Sequence, residues 1–201
     1  NQFDHIVYRV AMKINREMLP VTEVILDEMQ EQSVELDYVL PDYDPDIFRM
    51  IGCEIQPTIV TSTTGTDRIT YELRADIRVL YCGSGSTLLQ CVTQQMTFTR
   101  NVELPRPSED PIVTLRPRTT YANCRAVSPR RLEVRGAVSV AVHVTGDRRQ
   151  EVIQDVFGMH VQLRKVPVEY AAQKRRAVKH ILLNEDVELG ASNPPIRSIV
   201  R

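Results

Sequence analysis

Three carboxylates stand at alternate positions in Asp42-Tyr43-Asp44-Pro45-Asp46, the spacing with which a calcium-binding loop begins. The rest of such a loop is missing. Its sixth position is Ile47, where glycine must turn the chain, and its twelfth is Cys53, where a bidentate glutamate must close the shell. The acids therefore read as capping and solvated loop residues, and no metal is expected. Cys53, Cys82, Cys91 and Cys124 include no Cys-x-x-Cys pair, so zinc has no support. They read as reduced, partly buried small apolar residues, with cross-linking after export or maturation as the alternative. His5, His143, His160 and His180 are scattered without a local ligand partner. No Gly-x-Ser-x-Gly elbow, Walker loop, dinucleotide-binding glycine pattern or His-Glu-x-x-His helix is present. Gly83-Ser84-Gly85-Ser86 has the composition of a hairpin tip rather than a phosphate cradle. A non-enzymatic protein without a cofactor is the expectation. A deep pocket gathering His143 or His160 with carboxylates would reverse it.

Charge is balanced in total, at −1, but not along the chain. Residues 1–110 carry 9 Lys/Arg against 18 Asp/Glu, and residues 111–201 carry 16 against 8. From Glu17 to Phe48 there are ten acids and no Lys or Arg. The economical explanation is that the acidic and basic segments lie side by side in the fold; the sharper one is complementary surfaces between molecules or a basic patch for a polyanion. Arg116, Arg118, Arg125, Arg130, Arg131 and Arg135 suggest nucleic acid, yet Tyr121 is the only aromatic among them and the isoelectric point is about 6.5. Nucleic-acid binding is not expected. No apolar run approaches the roughly 18 residues that span a membrane, nor does the start resemble a signal peptide, so no membrane insertion is expected.

The elements that must position these residues are strands. Tyr71, Leu73, Ala75, Ile77, Val79 and Tyr81 alternate with Glu72, Arg74, Asp76 and Arg78. Leu132, Val134, Val138, Val140, Val142 and Val144 share one face, with Glu133, Arg135, Ser139 and His143 opposite. Ile6, Tyr8, Val10, Met12 and Ile14 repeat the pattern near the start, and Val34, Leu36 and Tyr38 alternate with Glu35 and Asp37. Turns are expected at Thr64-Gly65-Thr66-Asp67, Gly83–Ser86, Ser128-Pro129 and Thr145-Gly146-Asp147, with a Pro-rich link from Pro105 to Pro111. That spacing suits long antiparallel hairpins, about nine to eleven strands in all, in an all-β antiparallel sandwich or partly closed barrel. Without tryptophan and with little phenylalanine, Val, Ile and Leu must fill the core.

One segment occurs twice. Leu40-Pro41-Asp42-Tyr43-Asp44-Pro45-Asp46-Ile47 returns, degraded, as Leu189-Gly190-Ala191-Ser192-Asn193-Pro194-Pro195-Ile196, always 149 residues on. Asp37 with Asp186 and Ile51 with Val200 keep the register. In each copy Asp44 or Asn193 caps and Pro45 or Pro194 begins a single helical turn over the apolar residues that follow, closed in the first copy by Gly52. A repeat of this length implies a duplicated domain: residues 1–157 as a first domain, and 158–201 as the opening strands of a second, packed on the first. Within 166–183 strand-turn-strand is favoured, although Ala171–Val178 has helix-forming composition.

The segment from Leu19 to Pro105 resembles the SPOCS domain of spore-coat morphogenetic proteins. The residues that carry the resemblance are Val34-Glu35-Leu36-Asp37-Tyr38-Val39-Leu40-Pro41, then Asp44-Pro45-Asp46-Ile47, the strand Ile69–Tyr81 and the link Glu103-Leu104-Pro105. Residues 158–201 look like the opening of a second copy, departing at Gly190, where the first copy has Pro41. The resemblance implies a scaffold that assembles the spore coat or envelope through protein–protein contacts. Its place would be the mother-cell cytoplasm at the forespore surface, with other coat morphogenetic proteins, or a second copy of itself, as partners. It brings no catalytic residues. The alternative function is an envelope or peptidoglycan-binding β domain. For partner contacts the candidate residues are Asp42, Tyr43, Asp44, Asp46 and Phe48; the structural expectation for the same loop is a capped turn that packs Tyr43 and Phe48 into the core.

Overall fold

The computed structural model describes residues 12–85, 88–158, 162–170, 172, 177, 179, 181–196 and 199. Among them every regular element is a strand: β1 (Lys13–Val39), β2 (Ile47–Thr64), β3 (Arg68–Gly83), β4 (Leu89–Glu103), β5 (Ile112–Ser128) and β6 (Arg131–Phe157). They form two antiparallel sheets, ordered β1-β6-β5 and β2-β3-β4. The all-β class is as expected. Six strands replace the expected nine to eleven because they are long, 15 to 27 residues each.

Alternation explains the two central strands. Along β3, Ile69, Tyr71, Leu73, Ala75, Ile77, Val79 and Tyr81 are all buried, while the residues between them are only half-buried. Leu132, Val134, Val138, Val140, Val142 and Val144 are likewise buried on β6, where Ala137 and Ser139 between them are buried too. Both rows enter one hydrophobic cluster, completed by Ile25, Val34, Ile47, Ile55, Val92 and Val102 from the flanking strands. Each such aliphatic side chain contributes about 1.5–3 kcal/mol on burial. The exposed ion pairs contribute about 0–1 kcal/mol apiece, so the core dictates the arrangement.

Two expectations fail for identifiable reasons. The short helical turn at Asp44–Gly52 is absent, and β2 begins there instead. Phe48 and Ile51 are bulged residues without a partner on β3, so the residues opposite Gly83, Tyr81 and Val79 are Ile47, Met50 and Cys53. That three-residue spacing mimics one side of a helix. The corresponding segment of the second copy, at Pro194-Pro195-Ile196, is likewise not helical, and residues 197–198 lie outside the described set. Nor is Thr145-Gly146-Asp147 a turn, for β6 runs straight through it. A Cβ on Gly146 would collide with Ile25 Cδ1 and lie 2.6 Å from Ser108 Oγ, so this glycine serves close packing. The other turns fall where expected, at Thr64–Asp67, Gly83–Gly85 and Ser128–Arg130, and the Pro-rich link joins β4 to β5.

The sheets meet along β2 and β5. Ile47 N–H donates to Pro129 O at 2.6 Å, and Thr119 Oγ1 donates to Ile55 O. On the opposite side no ladder joins β1 to β4; the Arg100 guanidinium crosses to Glu31 O at 3.0 Å. The acidic β1 lies beside the C-terminal half: Asp37 pairs with Arg135 at 3.6 Å, Asp27 faces His143 at 3.7 Å, and Glu23 binds both Arg106 and Arg148. Uneven charge along the chain thus becomes neighbouring charge in space. The described residues of 158–201 are exposed and form no strand, with Lys165 Nζ bound to Asp155 at 2.8 Å. The alternating residues Ile6, Tyr8 and Val10 lie outside the described set, as does most of 171–180.

Gly136 provides a test of this packing. A Cβ there would meet Ile55 Cδ1 from the facing sheet and the Tyr121 backbone oxygen at 2.7 Å, whereas one on Gly52 would meet nothing within 4 Å. We expect Gly136→Ala to lower unfolding stability by about 1–3 kcal/mol and Gly52→Ala to leave it nearly unchanged, read from urea midpoints.

Candidate partner-binding loop

The loop from Leu40 to Asp46 joins one sheet to the other, so its backbone groups need partners that neither sheet's ladder supplies. Arg130, in the β5–β6 turn, provides most of them. Its Nη2 donates to Pro41 O at 2.6 Å and to Leu40 O at 3.3 Å, and its Nη1 to Asp44 O at 3.2 Å and Asp46 Oδ1 at 2.6 Å. The fixed fork of a guanidinium suits such a set. Leu40 N–H returns a bond to Arg130 O at 2.8 Å. From the other side, Ser84 N–H donates to Asp46 O at 2.7 Å and the Tyr81 hydroxyl to Pro45 O at 3.3 Å. Burial pushes the Tyr81 hydroxyl up from its ordinary pKa, so it stays protonated and able to donate. Pro45 packs over Gly83, where a Cβ would lie 2.5 Å from Pro45 Cγ. The inter-sheet loop and the turns of two hairpins are thereby tied together.

Within this frame Asp44 N–H closes a β-turn on Pro41 O at 3.0 Å. Asp42 and Tyr43 occupy its tip, and Asp46 spends its carboxylate on Arg130. The expectation that Tyr43 and Phe48 pack into the core is overturned: they are 86% and 77% exposed. Tyr43 is carried outward by the turn, and Phe48 by its bulge. The structure thus brings Asp44 and Asp46 to Arg130, leaves Asp42 at the tip without a contact of that kind, and displays one aromatic ring on a braced loop and a second at the start of β2. Arg130 appeared in the sequence only as one of several arginines. The signal that could have found it is its place beside Pro129 in a β-turn, which directs it toward whatever loop caps the same end.

No protein-family model, curated protein or solved structure matches this chain. The loop therefore has to be judged on its own geometry. Its counterpart in the second copy adopts the same turn, with Asn193 N–H donating to Gly190 O at 2.9 Å; among the described residues it makes no further backbone bond of the kind that ties down the first.

The remaining sequence candidates stand apart from the loop. His143 sits on the outer face of β6 beside Asp27, and His5, His160 and His180 lie outside the described residues. Among the described residues, no histidine lines the cleft of about 520 Å³ between Ile153–Val156 and Leu163–Pro167 or that of about 490 Å³ lined by Pro20, Ser108, Asp110, Asp147 and Arg149. Among the described residues no three His, Cys, Asp or Glu side chains gather as metal ligands, and no helix is long and apolar enough to cross a membrane. Several of the arginines are engaged internally: Arg125 with Glu133, Arg135 with Glu133 and Asp37, and Arg118 with Ser139.

Two outcomes follow. Arg130→Ala should destabilise the chain by about 1–3 kcal/mol and speed hydrogen exchange at Leu40 and Ile47, and Arg130→Lys should not restore it, because an ammonium cannot span four acceptors. The Arg125 hydrogen bond holds the Glu133 carboxyl below the ordinary glutamate range. A depressed folded-state pKa favours folding above the unfolded value and is lost as pH falls through the folded one. Accordingly, Arg125→Ala should move the Glu133 titration upward, as followed by carboxyl NMR.

Proposed function

We propose that the chain is a non-enzymatic scaffold module that acts by protein–protein association in bacterial spore-coat or envelope assembly. The observation that carries this reading is the outward display of Tyr43, on a loop held by Arg130 and two neighbouring turns, and of Phe48 at the start of β2. Aromatic side chains are enriched among residues that dominate binding, and a rigid backbone lowers the entropic cost of docking them. Asp42 and Asp44 beside them would favour a partner with basic groups around an apolar pocket. The internal pairing of Arg125, Arg130 and Arg135 favours a protein partner over a polyanion. The partners proposed are other coat morphogenetic proteins, with self-association through a second copy as a further possibility. The proposed place of action is the mother-cell cytoplasm at the forespore surface. Residues 158–201, whose turn repeats that of the first copy, are proposed to open a second such domain.

The test uses the purified chain as bait in lysate from sporulating cells, with recovered proteins identified by mass spectrometry. Coat morphogenetic proteins should be retained, and Tyr43→Ala with Phe48→Ala should weaken that retention by roughly tenfold or more while leaving the urea midpoint unchanged. Retention that ignores both substitutions would remove the loop from the interface. Recovery of nothing above control, together with co-sedimentation with purified peptidoglycan, would replace the scaffold with a glycan-binding domain.

A further inference from the structure

We infer that Cys53 and Cys124 are a disulfide site, able to staple the two sheets together along the β2–β5 junction. Cys53 belongs to one sheet and Cys124 to the other, and both are free thiols packed against the core from half-buried positions. Their juxtaposition follows from the register. Ile47 bonds Pro129 at one end of the junction, and Ile55 is bonded by Thr119 farther along. Discounting the bulged residues Phe48 and Ile51 on β2 and Val127 on β5, each cysteine lies four residues from the Ile47–Pro129 bond. Each also points inward. Cys53 is paired with Val79 and Cys124 with Val134, both fully buried, and directly opposed residues share a face. Burial pushes the Cys53 thiol up to about 12, and the Cys124 thiol adds to this as a hydrogen-bonding neighbour. A disulfide requires Cα atoms within about 7 Å of one another, and the refolding experiment reads directly whether this register provides it.

The oxidant we name is a low-molecular-weight disulfide. One cysteine thiolate attacks one of its sulfurs and expels a thiolate; the second cysteine attacks the mixed disulfide and expels the other. The protein loses two electrons and two protons, and the small disulfide becomes two thiols. A thiol held near 12 is a poor nucleophile at neutral pH, so exchange in the folded chain is slow, and the bond forms most readily before the core closes. Once made, it is shielded by the same burial. Cys82 and Cys91 are the competing pair. They lie on the outer face of the β2-β3-β4 sheet, opposite Leu89 and Leu80, and are two residues out of register.

The full chain is refolded from denaturant in a buffer of reduced and oxidised glutathione, and the folded product is digested without reduction. The expected product is a peptide pair joined through Cys53 and Cys124, with a thermal midpoint raised by roughly 10 °C over the reduced chain. Cys53→Ser and Cys124→Ser should each abolish the linked peptide and the shift, and the Cys82→Ser/Cys91→Ser double variant should keep both. Folded product with Cys53 and Cys124 still free or singly glutathionylated, or linked chiefly through Cys82 and Cys91, overturns the inference. If refolding yields too little, the native chain treated with diamide, whose N=N bond takes up the two electrons and two protons, is judged by the same peptides.

Discussion

Only β3 and β6 are hydrogen-bonded on both sides, and each sends an unbroken row of apolar side chains into the same core. Everything else is arranged around that pair. A strand with two ladders cannot slip by one residue without turning its whole apolar row to water, so β3 and β6 set the register of their neighbours. The flanking strands are then free to be irregular. β1, β2 and β5 all carry bulges, and β6 carries one near its end at Gln154, while the β3–β4 ladder carries none. Two of these irregularities fall where strands pack closely or where the chain enters a new sheet. Ile25 is bulged over Gly146, and Phe48 stands at the entry to β2.

This division explains what could be read from the sequence. Strict alternation is legible, and the alternating rows at Tyr71–Tyr81 and Leu132–Val144 are the buried rows of the structure. Turns made by local chemistry were legible too. What misled was non-local. The apolar residues Ile47, Phe48, Met50 and Ile51 looked helical because a bulge inserts an extra residue without changing which face is buried, and nothing in the local sequence distinguishes the two. Gly146 looked like a turn because glycine marks both turns and close approaches, and Ile25, which decides between them, is far away in the chain. β1 carries Glu28, Gln30 and Gln32 opposite Val142, Val140 and Val138, so three successive residues of its inward row are polar. That concealed a continuous 27-residue strand. The polar stretch borders the side of the core where β1 and β4 share no ladder and Arg100 crosses instead.

The candidate loop was legible in composition but not in posture. Asp42 to Phe48 stood out by its repetition, yet whether Tyr43 and Phe48 face in or out depends on a turn near residue 130 and on a bulge. Proline and aspartate are common in loops, and a core-packed and a solvent-facing version have the same composition. The arginine that separates them is invisible as such, because its four acceptors are mostly backbone oxygens, which leave no mark in a sequence.

The second copy shows the same distinction between local and non-local forces within one chain. The turn at Gly190–Asn193 forms with the same hydrogen bond as that at Pro41–Asp44, because a β-turn needs only its own four residues. The described residues before it form no strand. Residues 162–188 align with β1 at the 149-residue offset, and Leu183 stands where Val34 does, yet Val34 is fully buried and Leu183 is 87% exposed. β1 is held by its ladder to β6, which orders its polar stretch along with its apolar one. What the described residues of the repeated segment share with the first copy is therefore the turn, which its own four residues suffice to form.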